Sequence, residues 1–135
     1  MIDLKYSEIL AQNKLLSEHI SGNKYIISIL SNTTINPLKE LLEYSARLHG
    51  INPLVKVGNY DNIAQDSIAH NNSDLVLVFY DIFKLVNELP FYFENISDEM
   101  LSDLYERIYS EFDLIYNNLE NCSSVVINTF SSQYF

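Results

Sequence analysis

The residues best placed to do chemistry form a short run of hydroxyls and amides, Ser31-Asn32-Thr33-Thr34, directly after the apolar segment Tyr25–Leu30. Side chains of these types both donate and accept hydrogen bonds without carrying charge. The run holds no glycine, lysine or acid, so it suits hydrogen bonding to a ligand better than binding phosphate or metal. Other polar turns follow other apolar segments: Gly58-Asn59-Tyr60-Asp61, Tyr80-Asp81 and Asn128-Thr129. If those segments are parallel strands, all of these turns meet on one edge of a sheet, where doubly wound folds place their ligands. The candidate substrate-binding set is therefore Ser31, Asn32, Thr33, Thr34, Asp81, Asn128 and Thr129. Solvation of strand ends is the competing explanation of the same polarity.

Other chemistries lack their parts. Asp81, ending LVLVFYD, has the position of a phosphoryl-accepting aspartate. That reaction needs an acidic pair after the first strand to hold magnesium, and a lysine after the last strand. Ser31–Thr34 offers no acid, and Thr129-Phe130 stands at the lysine-bearing end. Nucleophilic hydrolysis needs a histidine and an acid within reach of a hydroxyl. His19, His49 and His70 instead fall on or at the ends of predicted helices, away from the strand-end edge. No Cys/His spacing suits a metal, and neither Gly-x-Gly-x-x-Gly nor a P-loop occurs among three glycines. No cofactor and no metal are expected. Cys122 reads as a small residue at a helix–strand junction.

The elements that must position these turns alternate. A helical spacing over residues 3–20 stops at Ser21-Gly22-Asn23. Tyr25–Leu30 is a near-continuous apolar run, the pattern of a strand buried on both faces. Asn36 is predicted to cap the next helix, with Pro37 in its first turn, Leu38, Leu41, Leu42, Ala46 and Leu48 on one face, and Gly50 after it. Pro53–Val57 is a second strand, Ile63–His70 a short helix, and LVLVFY a third strand ending at Asp81. Ile82–Leu89, closed by Pro90, is a helical turn or loop. A long helix runs from Ser97 to about Asn121, with Leu101, Leu104, Ile108, Phe112, Ile115 and Leu119 inward and an Ile96–Leu101 staple at its start. Its Tyr105, Tyr109 and Tyr116 read as a half-buried packing stripe or, more sharply, as a protein-binding face. Residues 123–128 are a fourth strand. The order predicts an α/β fold, a three-layer doubly wound parallel sheet. Residues 1–22 form an N-terminal helix packing on a domain of 23–135. Ending after the fourth strand is unusual for such a fold and suggests a fragment of a longer protein.

Eight basic against eighteen acidic residues give a net charge of −10, which disfavours nucleic acid and anionic membranes as partners. One cysteine excludes an internal disulfide, and no apolar run approaches the roughly 18 residues that span a bilayer. A cytoplasmic protein is expected.

The stretch Ile26–Phe79 resembles the N-terminal domain of FkbH-like proteins, the subfamily IIIC group of the HAD superfamily. The resemblance rests on Ser31-Asn32-Thr33-Thr34-Ile35-Asn36-Pro37-Leu38, on Gly50-Ile51-Asn52-Pro53-Leu54-Val55, on Gly58-Asn59-Tyr60-Asp61-Asn62 with Asp66-Ser67, and on Ser73-Asp74 before the third strand. It implies an SGNH-hydrolase-like, flavodoxin-type domain placed before a HAD catalytic domain. It also implies a protein that loads a glyceryl or related acyl unit onto an acyl carrier protein, as in polyketide or surface-glycan biosynthesis. The Asp-x-Asp-x-Thr/Val signature of the catalytic domain is absent from these residues. Against the SGNH pattern, Thr33 stands for the nucleophilic serine and Asn32 for the acid before it. The Gly-x-Asn-Asp and Asp-x-x-His blocks are replaced or missing. The resemblance thus implies a non-catalytic accessory domain that binds or orients substrate or carrier. The alternatives are a divergent ester or acyl-transfer enzyme using Thr33, and a protein-interaction module.

Overall fold

The computed structural model describes residues 4–85 and 96–129. Its centre is a sheet of strands β1 (Tyr25–Ser31), β2 (Pro53–Val57), β3 (Leu75–Phe79) and β4 (Val125–Ile127), all parallel, in the order β2-β1-β3-β4. In register, Ile27 lies between Val55 and Leu75, and Ile29 between Val57 and Leu77. Side chains alternate across a strand, so the central strands are apolar on both faces and need a helical layer on each.

Those layers are present. Helix α1 (Tyr6–His19) precedes the sheet, and α2 (Leu38–Leu48) follows β1. Leu38 and Leu42 of α2, with Ile35, close one face over Ile27, Ile29, Val55, Leu75 and Leu77. On the other face, Ile63 of α3 (Ile63–Ala69) and, after the short α4 (Ile82–Leu85), Ile115 of α5 (Asp98–Asn118) with Leu119 pack on Leu30, Val76 and Val78. Leu30, Val76 and Val78 are essentially inaccessible to water, each contributing about 1.5–3 kcal/mol by burial. This is the α/β, three-layer, flavodoxin-like arrangement. Helix α1 rests on α2 through polar groups: Tyr44 Oη donates to Gln12 Oε1 (2.7 Å), Asn13 Nδ2 to Glu43 Oε2 (3.3 Å), and Arg47 Nη1 to Asn13 Oδ1.

Several expectations are corrected. Asn36 does not cap α2; Pro37 occupies the cap position, and no side chain caps the helix. Leu48 is exposed at the last turn of α2, beyond the reach of the sheet. The inward stripe of α5 begins at Leu104, since Leu101 is 53% exposed. Ser97 caps α5 as predicted, its Oγ accepting from Met100 N–H at 3.2 Å. Tyr105, Tyr109 and Tyr116 are 69%, 62% and 75% exposed rather than half-buried. All three residues of β4, the strand at one end of the sheet order, are exposed. The reading of Ile82–Leu89 is met by α4 to Leu85; residues 86–90 lie outside the described residues. No described helix is long and apolar enough to cross a membrane.

Candidate functional site

The strand-end turns divide into two halves with different chemistry. On the β3 side, two asparagines act as substitute peptide groups. Asn32 Oδ1 accepts from Asp81 N–H at 2.7 Å while its Nδ2 donates to Asp81 C=O at 3.0 Å. Asn128 repeats the device from the opposite flank: its Oδ1 accepts from Tyr80 N–H at 2.6 Å and its Nδ2 donates to Tyr80 C=O at 3.1 Å. A carboxamide carries the same donor and acceptor as a peptide, so the pair continues the ladder of β3 past Phe79 on both sides. Asn32 is 3% exposed. The Asp81 carboxylate accepts from Phe83 N–H (3.1 Å), and Thr129 C=O accepts from Asn128 Nδ2 (3.2 Å). Burial, reinforced by the Glu111 carboxylate at 3.3 Å, pushes the Tyr80 phenol well above its ordinary range.

On the β2 side the turns open onto a cavity of about 350 Å³. Ser31, Thr33, Thr34, Asn36 and Tyr60 supply its polar lining, and Ile35, Val57 and Gly58 the remainder. Ser31 Oγ accepts from Thr33 N–H (3.0 Å) and donates to Thr33 C=O (2.9 Å), fixing the turn that presents the two threonines. The Thr33 and Thr34 hydroxyls hold no hydrogen bond to another described residue.

The turn that carries Gly58 and Tyr60 to the cavity is held from behind by Asp66. Its carboxylate accepts from Asn59 N–H, Asn59 Nδ2 (3.1 Å) and Asn62 Nδ2 (2.9 Å). Burial alone would raise this carboxyl, but the donors from Asn59 and Asn62 outweigh it and hold it below the usual carboxylate range. Gly58 is required beside it: a Cβ there would lie 2.6 Å from Asp66 Oδ2 and 2.9 Å from Leu30 Cδ2. Gly58 N–H donates to Ile29 C=O (2.8 Å) and Asp61 N–H to Ser31 C=O (3.1 Å), locking this turn to the end of β1.

Lys84 joins the halves. From α4 its Nζ donates to Asn32 C=O and to Tyr60 Oη, and it lies 4.6 Å from the centre of the Tyr60 ring. The Tyr60 hydroxyl holds the ammonium above its ordinary range against a burial cost, with Asp61 and Asp81 adding to the effect.

Of the predicted set, Ser31, Thr33 and Thr34 come together at the cavity, whereas Asn32, Asp81, Asn128 and Thr129 gather at the extension of β3. Sequence reasoning passed over Tyr60, Lys84 and Asp66 as site residues. Lys84, one helical turn after Asp81, was the legible signal. His70 also differs from its reading as a helix-terminal residue alone: its Nδ1 lies 2.8 Å from Ser28 Oγ, which pairs with Ser73 Oγ at 2.8 Å. Ser28 is fully buried, so this serine–histidine contact is closed to substrate. Burial, with Lys56 nearby, lowers the His70 imidazole below its ordinary range against the opposing pull of Asp66. Among the described residues no group of three metal-ligating side chains forms.

No protein-family model matches the chain, and no curated protein matches it. In fold it is similar to the N-terminal part of the protein BF1531 from Bacteroides fragilis, a crystal structure containing a phosphatase domain complexed with Mg. The TM-score is 0.67 at 13% identity, over 92% of this chain and 32% of that one. The chain thus spans about a third of that protein's crystallised length, and at this identity the likeness bears on the fold.

Proposed function

We propose that this chain is a non-catalytic, SGNH-like accessory domain of an FkbH-like protein. Its role is to bind or orient a glyceryl or related acyl unit, or the acyl carrier protein that bears it, beside a HAD catalytic domain in the cytoplasm. The single observation that carries the reading is the strand-end cavity lined by Thr33, Thr34 and Tyr60, with no histidine in its lining among the described residues. A cavity of about 350 Å³ lies in the range of small-ligand sites. Its neutral donors and acceptors match the hydroxyls and carbonyl of a glyceryl unit. Likeness of fold to the N-terminal part of a protein with a phosphatase domain supports the same placement.

Thr33 as a nucleophile finds less support, because the imidazole of His70 is engaged with buried Ser28. Calorimetric titration with glyceryl-loaded acyl carrier protein tests the proposal. Binding is expected, weakened about tenfold in Thr33→Val/Thr34→Val, the equivalent of one or two lost hydrogen bonds. No heat of binding at about 1 mM carrier, far weaker than ordinary recognition, or turnover of an aryl ester that disappears in Thr33→Ala, would overturn it.

A further inference from the structure

The strand-end cavity is formed by two turns that belong to different βα units. The turn after β1 supplies Ser31, Thr33 and Thr34, and the turn after β2 supplies Gly58 and Tyr60. Backbone bonds join the second turn to the end of β1: Gly58 N–H to Ile29 C=O (2.8 Å) and Asp61 N–H to Ser31 C=O (3.1 Å). Neither bond reaches the Tyr60 side chain, and packing does little to fix it, because Tyr60 is 63% exposed. Asp61, next in the chain, has φ 56°, the one positive value among the described non-glycine residues. A side chain makes that conformation costly, and it persists where the surroundings over-determine it, commonly beside a ligand. The turn is therefore held under strain next to a residue that lines the cavity.

One group reaches both turns. The Lys84 ammonium, on α4, donates to Asn32 C=O, the peptide oxygen directly before Thr33, and to Tyr60 Oη, with the centre of the Tyr60 ring 4.6 Å away. Hydrogen bonds from a charged donor are about twice as strong as neutral ones, and the aromatic face adds to the attraction. Asp61 and Asp81 act on the same ammonium. Its charge is thus balanced inside the rim rather than offered to an anion.

We infer that Lys84 is the positioning residue of this cavity, an inference that rests on the cavity being the ligand site. Its ammonium ties the turn of Thr33 and Thr34 to Tyr60, and a ligand between them is held only as firmly as that tie. Lys84 does not itself line the cavity, so it acts through Tyr60 and through the Asn32–Thr33 peptide. Because α4 begins directly after Asp81, the same tie links the cavity to α4. A ligand that favours the tied form strengthens the tie in return, by the reciprocity of linkage.

Two readouts test this, the first without any ligand. Neither Tyr60 nor Lys84 belongs to the buried core, so Lys84→Met and Tyr60→Phe should both fold with the urea midpoint of the wild type. In the free chain, the Asp61 amide that donates to Ser31 C=O should exchange its hydrogen about tenfold faster in each variant, while the Gly58 amide is unchanged. The second readout is titration with a glyceryl thioester of N-acetylcysteamine. Each variant should weaken binding about fivefold, the equivalent of one hydrogen bond. Lys84→Met/Tyr60→Phe together should weaken it no further, as expected of two ends of one tie. Unchanged Asp61 exchange in either variant, equal acceleration at Gly58, or additive losses of affinity would overturn the inference. Failure of the thioester to bind the wild-type chain would count against the proposed acyl ligand and not against the tie, which the exchange readout decides alone.

Discussion

Asn32 and Thr33 are neighbours in the chain, yet they belong to opposite halves of the strand-end rim. Asn32 turns inward and holds the backbone of Asp81 at 2.7 and 3.0 Å; Thr33 lines a cavity, its hydroxyl unbonded to any described residue. The two halves look alike in composition because both need side chains that donate and accept. What separates them is whether the partner is the protein's own backbone or something that enters. On the β3 side Asn32 and Asn128 complete the fold, and on the β2 side the threonines are left for a ligand.

Substitutions that break the comparison should follow that division. The largest effect is expected for Asn32→Ala, which strands a buried N–H and a C=O of Asp81 and should cost about 3 kcal/mol in urea unfolding. Gly58→Ala should lose about 2–3 kcal/mol, because the new methyl meets the Asp66 carboxylate and Leu30. Asp66→Asn should lose about 2 kcal/mol at neutral pH by weakening the acceptor of Asn59 and Asn62. Its pH dependence has a definite sign. The folded carboxyl sits below its ordinary 3.8, so its contribution is complete above about pH 4 and is lost as pH falls through the lowered folded value. Unfolding midpoints measured from pH 5 to pH 2 should therefore fall less steeply in Asp66→Asn than in wild type. Asn128→Ala, at a partly exposed site, should cost about 1 kcal/mol. The smallest effect is predicted for Thr34→Val, within about 0.5 kcal/mol, since the exposed hydroxyl supports no described element.

Much of the frame was legible in the sequence. Pro53–Val57 and LVLVF are apolar runs bounded by polar turns, and the strands fall on them. Ser97 announced the start of α5 by a local rule, the N-cap. The asparagine clamps were not legible, because Asn32–Asp81 and Asn128–Tyr80 lie 49 and 48 residues apart and no local pattern marks them. The role of Asp66 was hidden similarly, since a carboxylate held by Asn59 and Asn62 is spelled like any solvated acid. Residues that carried the family resemblance prove to have structural tasks: Gly58 packs on Asp66, Ser67 accepts from Asn118, Ser73 pairs with Ser28, and Asp74 accepts from Ile26 N–H at 2.7 Å. Their spacing therefore reports the frame more than the ligand. The exposure of β4 and of the α5 tyrosines is a matter of which elements pack beside them, which periodicity within one element cannot encode.

The division of the rim is tested most directly by recording backbone amide shifts while the chain is titrated with a glyceryl thioester of N-acetylcysteamine. The account predicts saturable shifts at Thr33, Thr34, Gly58 and Tyr60, with Tyr80 and Asn128 unmoved, and their loss in Thr33→Val/Thr34→Val. Shifts centred on Tyr80, Asp81 and Asn128, with the cavity residues silent, would contradict it.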